Sequence, residues 1–312
     1  MVADVRERLG GNGLRRIRIA TLLCAGLIAW NARAQTKPLD GVIDIHVHTA
    51  PDSVPRSIDA IDLAKLAQSR GMRAIVLKNH YEPTASVAYL VHKEVPGIQV
   101  FGGIDLNLSV GGMNPIAVEK MALTTGHLGK LVWMATYDTR AQVLKSGDHR
   151  PFVAVSQDGE LLPAAKDVIG VIARYDLVMA TGHNSPEDDL LLIQEAKKQG
   201  VKEMVVTHAM LSPTSMTIPE MQEAAKLGAY IEFVFNGLIG NSRQFDFADY
   251  AKAIRAVGVE HCILSSDMGQ VGNPLHPDGL MLLFDGLKKQ GLTQADIDQM
   301  SKVNPARLLS LK

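Results

Sequence analysis

Short apolar runs rich in β-branched residues alternate with longer amphipathic stretches along almost the whole chain. Eight of the short runs read as strands: Val42–His48, Ala74–His80, Ile98–Asn107, Leu131–Tyr137, Asp176–His183, Glu203–His208, Tyr230–Asn236 and Cys262–Asp267. Helical patterns lie between them. Ile58, Ile61, Ala64 and Leu66 mark one face of a helix that ends at Arg70-Gly71, where glycine is a natural stop. Asp188–Gln199, Pro219–Leu227, Tyr250–Val257 and Gly279–Lys289 read the same way. Strands alternating with helices of this length imply parallel βα units. Eight such units in about 270 residues predict an α/β fold, the (β/α)8 TIM barrel. A doubly wound open sheet is the competing architecture, but no G-x-G-x-x-G follows any strand. The connection after strand four, residues 138–175, is too long for a simple crossover and holds a hairpin-like stretch, Phe152–Leu162, turning at Asp158-Gly159. Loops after strands lie on the active-site face of such a barrel, so this insertion is expected to act as a lid or pocket wall. With no internal repeat and no second domain in the pattern, residues 35–312 read as one domain.

Residues 1–34 stand apart. Arg15, Arg16 and Arg18 precede an apolar run of 12 residues, Ile19–Trp30, and Ala32-Arg33-Ala34 offers small residues at the two positions a signal peptidase reads. That order predicts an export signal cleaved before Gln35 and a periplasmic or secreted product. The run is short for a membrane span of about 20 residues, which makes an uncleaved anchor the lesser alternative. A single Arg15-Arg16 pair among basic residues does not decide between twin-arginine and general export. Leu23 stands before Cys24 where a lipoprotein signal wants a small residue, so lipidation is not expected.

With 46% hydrophobic and 21% charged residues, the composition is that of a globular protein. Of 32 Lys/Arg and 33 Asp/Glu, residues 1–34 carry six and two, leaving 26 and 31 and a net charge of −5. A mildly acidic chain argues against a nucleic-acid partner, which calls for a basic stripe, and against stable membrane association after cleavage. Of two cysteines only Cys262 survives cleavage, so neither a disulfide nor a Cys-rich zinc site is available. Self-association into a homo-oligomer is left open.

The ten histidines then decide the reading. Strand ends converge at one mouth of a parallel barrel, and period-two alternation selects which side chains face inward. In strand one this puts Ile43, Ile45 and Val47 toward the helices and Asp44, His46 and His48 inside. Strand five aligns Met179, Thr181 and His183, and strand six aligns Met204, Val206 and His208. Strand eight aligns Ile263, Ser265 and Asp267, and strand two brings Val76, Lys78 and His80 to the same rim. His92, His127 and His261 fall away from the mouth and read as structural or surface residues. His149 and His276 lie in loops on the mouth side and read first as solvated loop residues, with a substrate contact as the alternative. A lone H-x-H often carries no function, but several strands ending in imidazole or carboxylate supply the ligands that a divalent cation such as zinc takes. The joint pattern predicts a metal site.

The set Asp44-Ile-His46-Val-His48, Thr181-Gly-His183, Val206-Thr-His208 and Ser266-Asp267 resembles the amidohydrolase superfamily of metal-dependent hydrolases, and Asn304–Leu309 is similar to a closing helix common there. The resemblance spans nearly the whole mature chain and is not specific for a substrate. It implies that His46, His48 and Asp267 bind one metal, and that His183 and His208 bind a second in binuclear members. In mononuclear members His183 completes the first site and His208 orients water or substrate. Binuclear members commonly bridge the metals through a carboxylated lysine or a glutamate ending strand four, and here that strand ends Trp133-Met-Ala-Thr-Tyr137, with neither. Lys78, ending strand two, is the only strand-end lysine that could substitute. An amine beside two cations favours its neutral form, the form that reacts with carbon dioxide to give a carbamate. The other reading of Lys78 is an ammonium that binds an acidic substrate or pairs with Asp267.

By this resemblance the cofactor is one or two divalent cations, zinc first. The reaction is hydrolysis of an amide, lactone or ester carbonyl of a small molecule by metal-activated water, with Asp267 moving the proton and His208 assisting. His80, Tyr81, Asn107 and Asn236 are the candidate substrate contacts. Glu232 alternates with Asn236 and faces the interior, where it needs a polar partner. Two readings remain beside this one. A mononuclear metal-dependent decarboxylase of a small carboxylic acid resembles the same His/Asp set. A non-enzymatic metal-binding exported protein has no need of the retained Asp267.

Overall fold

A computed structural model describes residues 37–312, and the export signal predicted over residues 1–34 lies outside them. All eight predicted strands form: β1 (Ile43–Val47), β2 (Ala74–Leu77), β3 (Gln99–Asp105), β4 (Gly129–Trp133), β5 (Val178–Ala180), β6 (Glu203–Val206), β7 (Ala229–Val234) and β8 (Cys262–Ser265). They pair in parallel and in chain order. Eight helices follow them in turn: α1 (Ala60–Arg70), α2 (Ala85–Glu94), α3 (Pro115–Ala122), α4 (Pro163–Arg174), α5 (Pro186–Gln199), α6 (Ile218–Leu227), α7 (Phe247–Val257) and α8 (His276–Lys289). This is the (β/α)8 architecture. The ring closes between β8 and β1 through a Val47–Met268 bridge. Asp267 N donates to His46 O and His48 N donates to Met268 O, both at 3.0 Å. The seam therefore runs through three of the candidate ligands.

Most strands stop short of the polar residues that end each run, and this corrects the inward assignments on three of them. Inside the barrel Ile43, Ile45, Ala74, Val76, Leu131, Trp133, Val178, Ala180 and Val205 pack together, closed at the bottom by Ala306, Leu308 and Leu309. Outside, Val47, Ile75, Leu77, Met179, Met204 and Val206 pack against the helices. Ile43 and Ile45 thus point inward, not toward the helices. An irregular register between Asp44 and Val47 resets the alternation so that His46 and His48 also turn in. Met179, Met204 and Val206 face the helices. His183 and His208 reach the mouth from turns, with Gly182 at φ 79° and His208 at φ 28°.

Helix α1 is capped by Asp59, which accepts from Ile61 N and Asp62 N, and ends at Gly71 with φ 92°. Starting at Ala60, it buries Ala60, Leu63, Ala64 and Ala67, an i, i+3, i+4, i+7 stripe. Ile61, expected on that face, is 37% exposed, and Ile58 precedes the helix. In the 138–175 insertion, a short helix (Arg140–Lys145) leads to a hairpin of Ser156–Gln157 and Glu160–Leu161. Its turn is at Asp158 and Gly159, both at positive φ. The rest of the insertion is α4, whose buried Ala165, Val168, Ile169 and Ile172 make it the helix that follows β4.

Candidate metal centre

Closure of the ring sets residues far apart in sequence side by side. His46 and His48, from the end of β1, and Asp267, just after β8, are buried, with ligand atoms within 4.8 Å of one another. Asp267 Oδ1 lies 3.2 Å from His46 Nε2 and 3.1 Å from His48 Nε2. On the opposite side His183 Nε2 and His208 Nε2 are 3.0 Å apart. With His80, the imidazoles form a closed circuit. Successive ring centroids from His46 through His48, His80, His183 and His208 back to His46 are 5.3, 4.8, 6.1, 4.7 and 5.9 Å apart.

Backbone and side-chain hydrogen bonds hold this circuit. Asp44 Oδ1 accepts from His46 N (3.2 Å) and from Ser266 N (3.1 Å), tying β1 to the segment that carries Asp267. Burial pushes its carboxyl up to about 6. Glu232, on β7, finds the polar partner its burial requires: His46 Nδ1 lies 3.2 Å from its Oε2, and His208 N donates to the same oxygen at 3.0 Å. Burial alone would raise the Glu232 carboxyl, but the adjoining His46 ring with its hydrogen bond, and the His208 backbone N–H, hold it below the usual range. Asn236 Nδ2 donates to Asp267 Oδ2 at 3.2 Å.

The protonation states suit a cation. Burial drives His48 well below the usual imidazole range. It does the same to His183, with His208 adding to the effect, and lowers His208 itself to about 4. These rings are neutral at pH 7 and carry free lone pairs. Burial would raise Asp267, yet the adjoining His46 ring and the His48 hydrogen bond keep it well below the carboxylate range, ionised. Among the described residues the Nδ1 atoms of His48, His183 and His208 have no partner, although buried. Two neutral imidazoles meeting at Nε2 can share one hydrogen at most, whereas a divalent cation accepts both lone pairs. Four imidazole nitrogens and a carboxylate oxygen are a donor set that fits zinc or a similar divalent ion.

Lys78 enters from beyond β2, fully buried, with Nζ 3.1 Å from His46 Nε2. Its carboxylate neighbour is Asp105 on β3, at 3.7 Å, rather than Asp267. Asp105, which burial pushes up to about 6, also accepts from Thr136 Oγ1 (3.0 Å) and lies 3.3 Å from His80 Nδ1. A cavity of about 300 Å³ opens over the circuit, and Asn236, Tyr137, Gln142, Ser212, Gln244 and Gln270 contribute to its wall. Gln142 brings the insertion into that wall.

Of the four candidate substrate contacts, His80 and Asn236 line the cavity, and Tyr81 and Asn107 do not. Asn107 is fully committed to its own loops. Its Nδ2 donates to His80 O and Thr136 Oγ1, both at 2.7 Å, and its Oδ1 accepts from Thr136 N and Asp138 N. Tyr81 packs beside the mouth with its carbonyl accepting from Ser109 Oγ. His276 is buried at the first position of α8, with Nε2 3.1 Å from His48 O, and is no solvated loop residue. His149 is exposed, as expected. Sequence reasoning passed over Asp105 and Tyr137. Tyr137 ends the apolar run of strand four, and its ring centroid lies 4.1 Å from that of His80 and 5.6 Å from that of His183. Asp105 sits two positions before Asn107 in the same strand run, which is the signal that could have found it.

No curated protein matches the chain. The sequence profile of a family described as of unknown function, DUF6282, matches residues 41–232, a stretch that holds every candidate ligand except Asp267. Among solved structures, an amidohydrolase from Pseudomonas aeruginosa superposes with a TM-score of 0.61 at 14% identity, covering 86% of this chain and 95% of that one. A variant organophosphorus hydrolase from Deinococcus radiodurans gives 0.55 at 15%, covering 86% and 92%. A 2,6-dihydroxybenzoate decarboxylase complexed with 2,6-dihydroxybenzoate gives 0.54 at 12%, covering 87% and 100%. The first two are amidohydrolase superfamily members. At such identities the likeness establishes the shared barrel fold.

Proposed function

The chain belongs to the DUF6282 family, and we propose that it is a metal-dependent hydrolase of the amidohydrolase type, acting on an amide, lactone or ester carbonyl of a small molecule. The observation that carries this reading is the buried His46–His48–Asp267 group beneath a cavity at the end of the barrel where such folds do their chemistry. His46, His48 and Asp267 would hold the first cation, and His183 with His208 the second. Lys78, the one lysine in the cavity lining, is the proposed bridge as a carbamate. A bound divalent cation such as zinc supplies Lewis acidity and a water whose pKa falls to about 7.

The chain's own groups do the rest. Asp267 is ionised and its Oδ2 is held by Asn236, so it takes the nucleophile's proton and passes it to the leaving group. With a single cation bound, His208, neutral and close to His183, would instead steady water or the reacting carbonyl. His80 and Tyr137 form one wall, and Gln142 and Gln244 offer amide hydrogen bonds to the substrate from the other loops. A cavity of about 300 Å³ restricts the substrate to a small molecule.

The test is elemental analysis of protein purified without chelator, joined to a panel of esters, lactones and amides. One or two equivalents of divalent metal and chelator-sensitive hydrolysis are expected. Metal-loaded protein that leaves the whole panel intact refutes the hydrolase. A second reading, decarboxylation of a small carboxylic acid with one cation, is favoured by the lack of a lysine or glutamate ending β4 and by the barrel shared with the dihydroxybenzoate decarboxylase. Carbon dioxide release with a single metal equivalent would establish it. Metal binding with neither activity would point to a non-enzymatic role. Export to the periplasm or medium is part of the proposal, supported by the basic, apolar and Ala-x-Ala order of residues 15–34. Mass spectrometry of protein from the native host should find Gln35 as the first residue.

A further inference from the structure

Among the four histidines of the centre, one has its outer nitrogen engaged. His46 Nδ1 lies 3.3 and 3.2 Å from Oε1 and Oε2 of Glu232. The Nδ1 atoms of the other three have no partner among the described residues. Glu232 is 2% exposed, so its oxygens are shielded from bulk water. A carboxylate only accepts hydrogen bonds. His46 must therefore carry its hydrogen on Nδ1 and present the Nε2 lone pair inward, toward Asp267 Oδ1 and Lys78 Nζ. The same carboxylate accepts from the backbone N–H of His208 at 3.0 Å. His208 takes φ 28° just beyond β6, a conformation that non-glycine residues seldom adopt. The hydrogen bond holds that turn, and the turn brings the His208 ring to His183.

We infer that Glu232 is a positioning residue for both halves of the centre: by fixing the tautomer of His46 and the backbone turn of His208, it sets the affinity of both cation positions while ligating neither. The inference rests on the metal-centre reading above. Outer carboxylates on metal-binding histidines change metal affinity by about 10–100-fold. This one acts on two ligands, a side chain from β1 and a main chain from the end of β6.

Glu232→Gln is the discriminating variant because the amide fits the space but not the pattern. With its oxygen at the Oε2 position it can still accept from His46 and His208, but its NH2, at the Oε1 position, is set against the Nδ1–H of His46. With its NH2 at the Oε2 position instead, it meets the N–H of His208. Either orientation sets donor against donor. Apo protein should be titrated with zinc in competition with a chromophoric chelator and, separately, with cobalt(II), whose visible spectrum reports ligand geometry. Far-UV circular dichroism and the apo melting temperature report the fold. The expected result is a folded apo protein whose zinc affinity falls about 10–100-fold at every equivalent the wild type binds, with an altered cobalt spectrum. Glu232→Asp, which keeps the charge but withdraws it by one methylene, should fall between wild type and Glu232→Gln, and it serves alone if the glutamine variant does not fold. Zinc affinity within twofold of wild type with an unchanged cobalt spectrum overturns the proposal, and so does a lowered melting temperature with intact affinity. Weakening of one equivalent beside an untouched second overturns the two-sided role. Wild-type protein that binds no cation refutes the metal centre itself, a result the variants cannot mimic.

Discussion

The two sides of the centre are built on different principles. His46, His48 and Asp267 sit on the barrel seam, where Asp267 N bonds His46 O and His48 N bonds Met268 O. Asp44, Glu232 and His276 hold the same segment by further hydrogen bonds. His183 and His208 lie on turns beyond β5 and β6 whose backbones are hydrogen-bonded too, His208 N to Glu232 and His183 N to Ala135 O. Among the described residues, however, their rings have only each other as hydrogen-bonding partner. A group fixed by closing the barrel is preorganised before any cation arrives. A pair on turns gives up more conformational freedom on binding, so the same ligand types should yield a weaker position.

Breaking the chemistry while keeping the ligands gives the largest effect. Asp267→Asn retains an oxygen ligand and its size but loses the proton acceptor, so turnover should fall by about 10²–10⁴-fold with metal largely retained. Near-normal turnover in steady-state assays would move the proton transfer to His208 or His80. The next effect tests the comparison directly. Replacing both His46 and His48 by alanine should empty the centre, whereas replacing both His183 and His208 should leave about one equivalent by elemental analysis. Equal losses would erase the distinction between seam and turns. Lys78→Ala follows: if a carbamate joins the two sides, occupancy should drop from two equivalents toward one, with partial rescue by bicarbonate and a short carboxylic acid. Two-metal occupancy in the variant would leave Lys78 as a substrate contact or a packing residue beside Asp105.

The smallest effect is on stability. Asp189 lies fully buried on α5, behind the strand that leads to His183, with neither oxygen at ordinary hydrogen-bond distance from a partner among the described residues. Burial raises its carboxyl well above the usual range, opposed only in part by Thr181. The folded chain therefore keeps a proton that the unfolded chain releases above about pH 4. Stability is lost as pH rises from there toward the raised folded value. Asp189→Asn removes that loss, so the variant should gain melting temperature at pH 7 and little or nothing at pH 4. A gain of about 1 kcal/mol would appear as roughly 2–4 °C for a chain of this size. A variant less stable than wild type at pH 7 would show that the protonated acid makes a bond the amide cannot replace.

The strand count, the order of βα units and the H-x-H were legible because each is a local pattern. Glu232 was legible as a buried acid in need of a partner. Its partner was not, because His46 is 186 positions away in the chain. Asn107 read as a substrate contact because strand three seemed to run to it, but the strand ends at Asp105 and the asparagine ties loops instead. His276 read as a loop residue because the helix pattern was apparent only from Gly279, whereas α8 begins three residues earlier.

What the amino-acid sequence determines alone is periodicity and chemistry: eight apolar runs that must bury both faces, helices between them, and metal-ligand types clustered where the runs end. Which side chain faces which was decided in three dimensions. Alternation predicts orientation only while a strand stays regular. A register shift in β1 and positive-φ turns after β5 and β6 lie where the chain leaves that regularity. The contact of His48 with Asp267 spans 219 positions and exists because the last strand returns to the first. Hydrogen bonds across such a distance depend on closure of the whole ring, and no local stretch of sequence contains it.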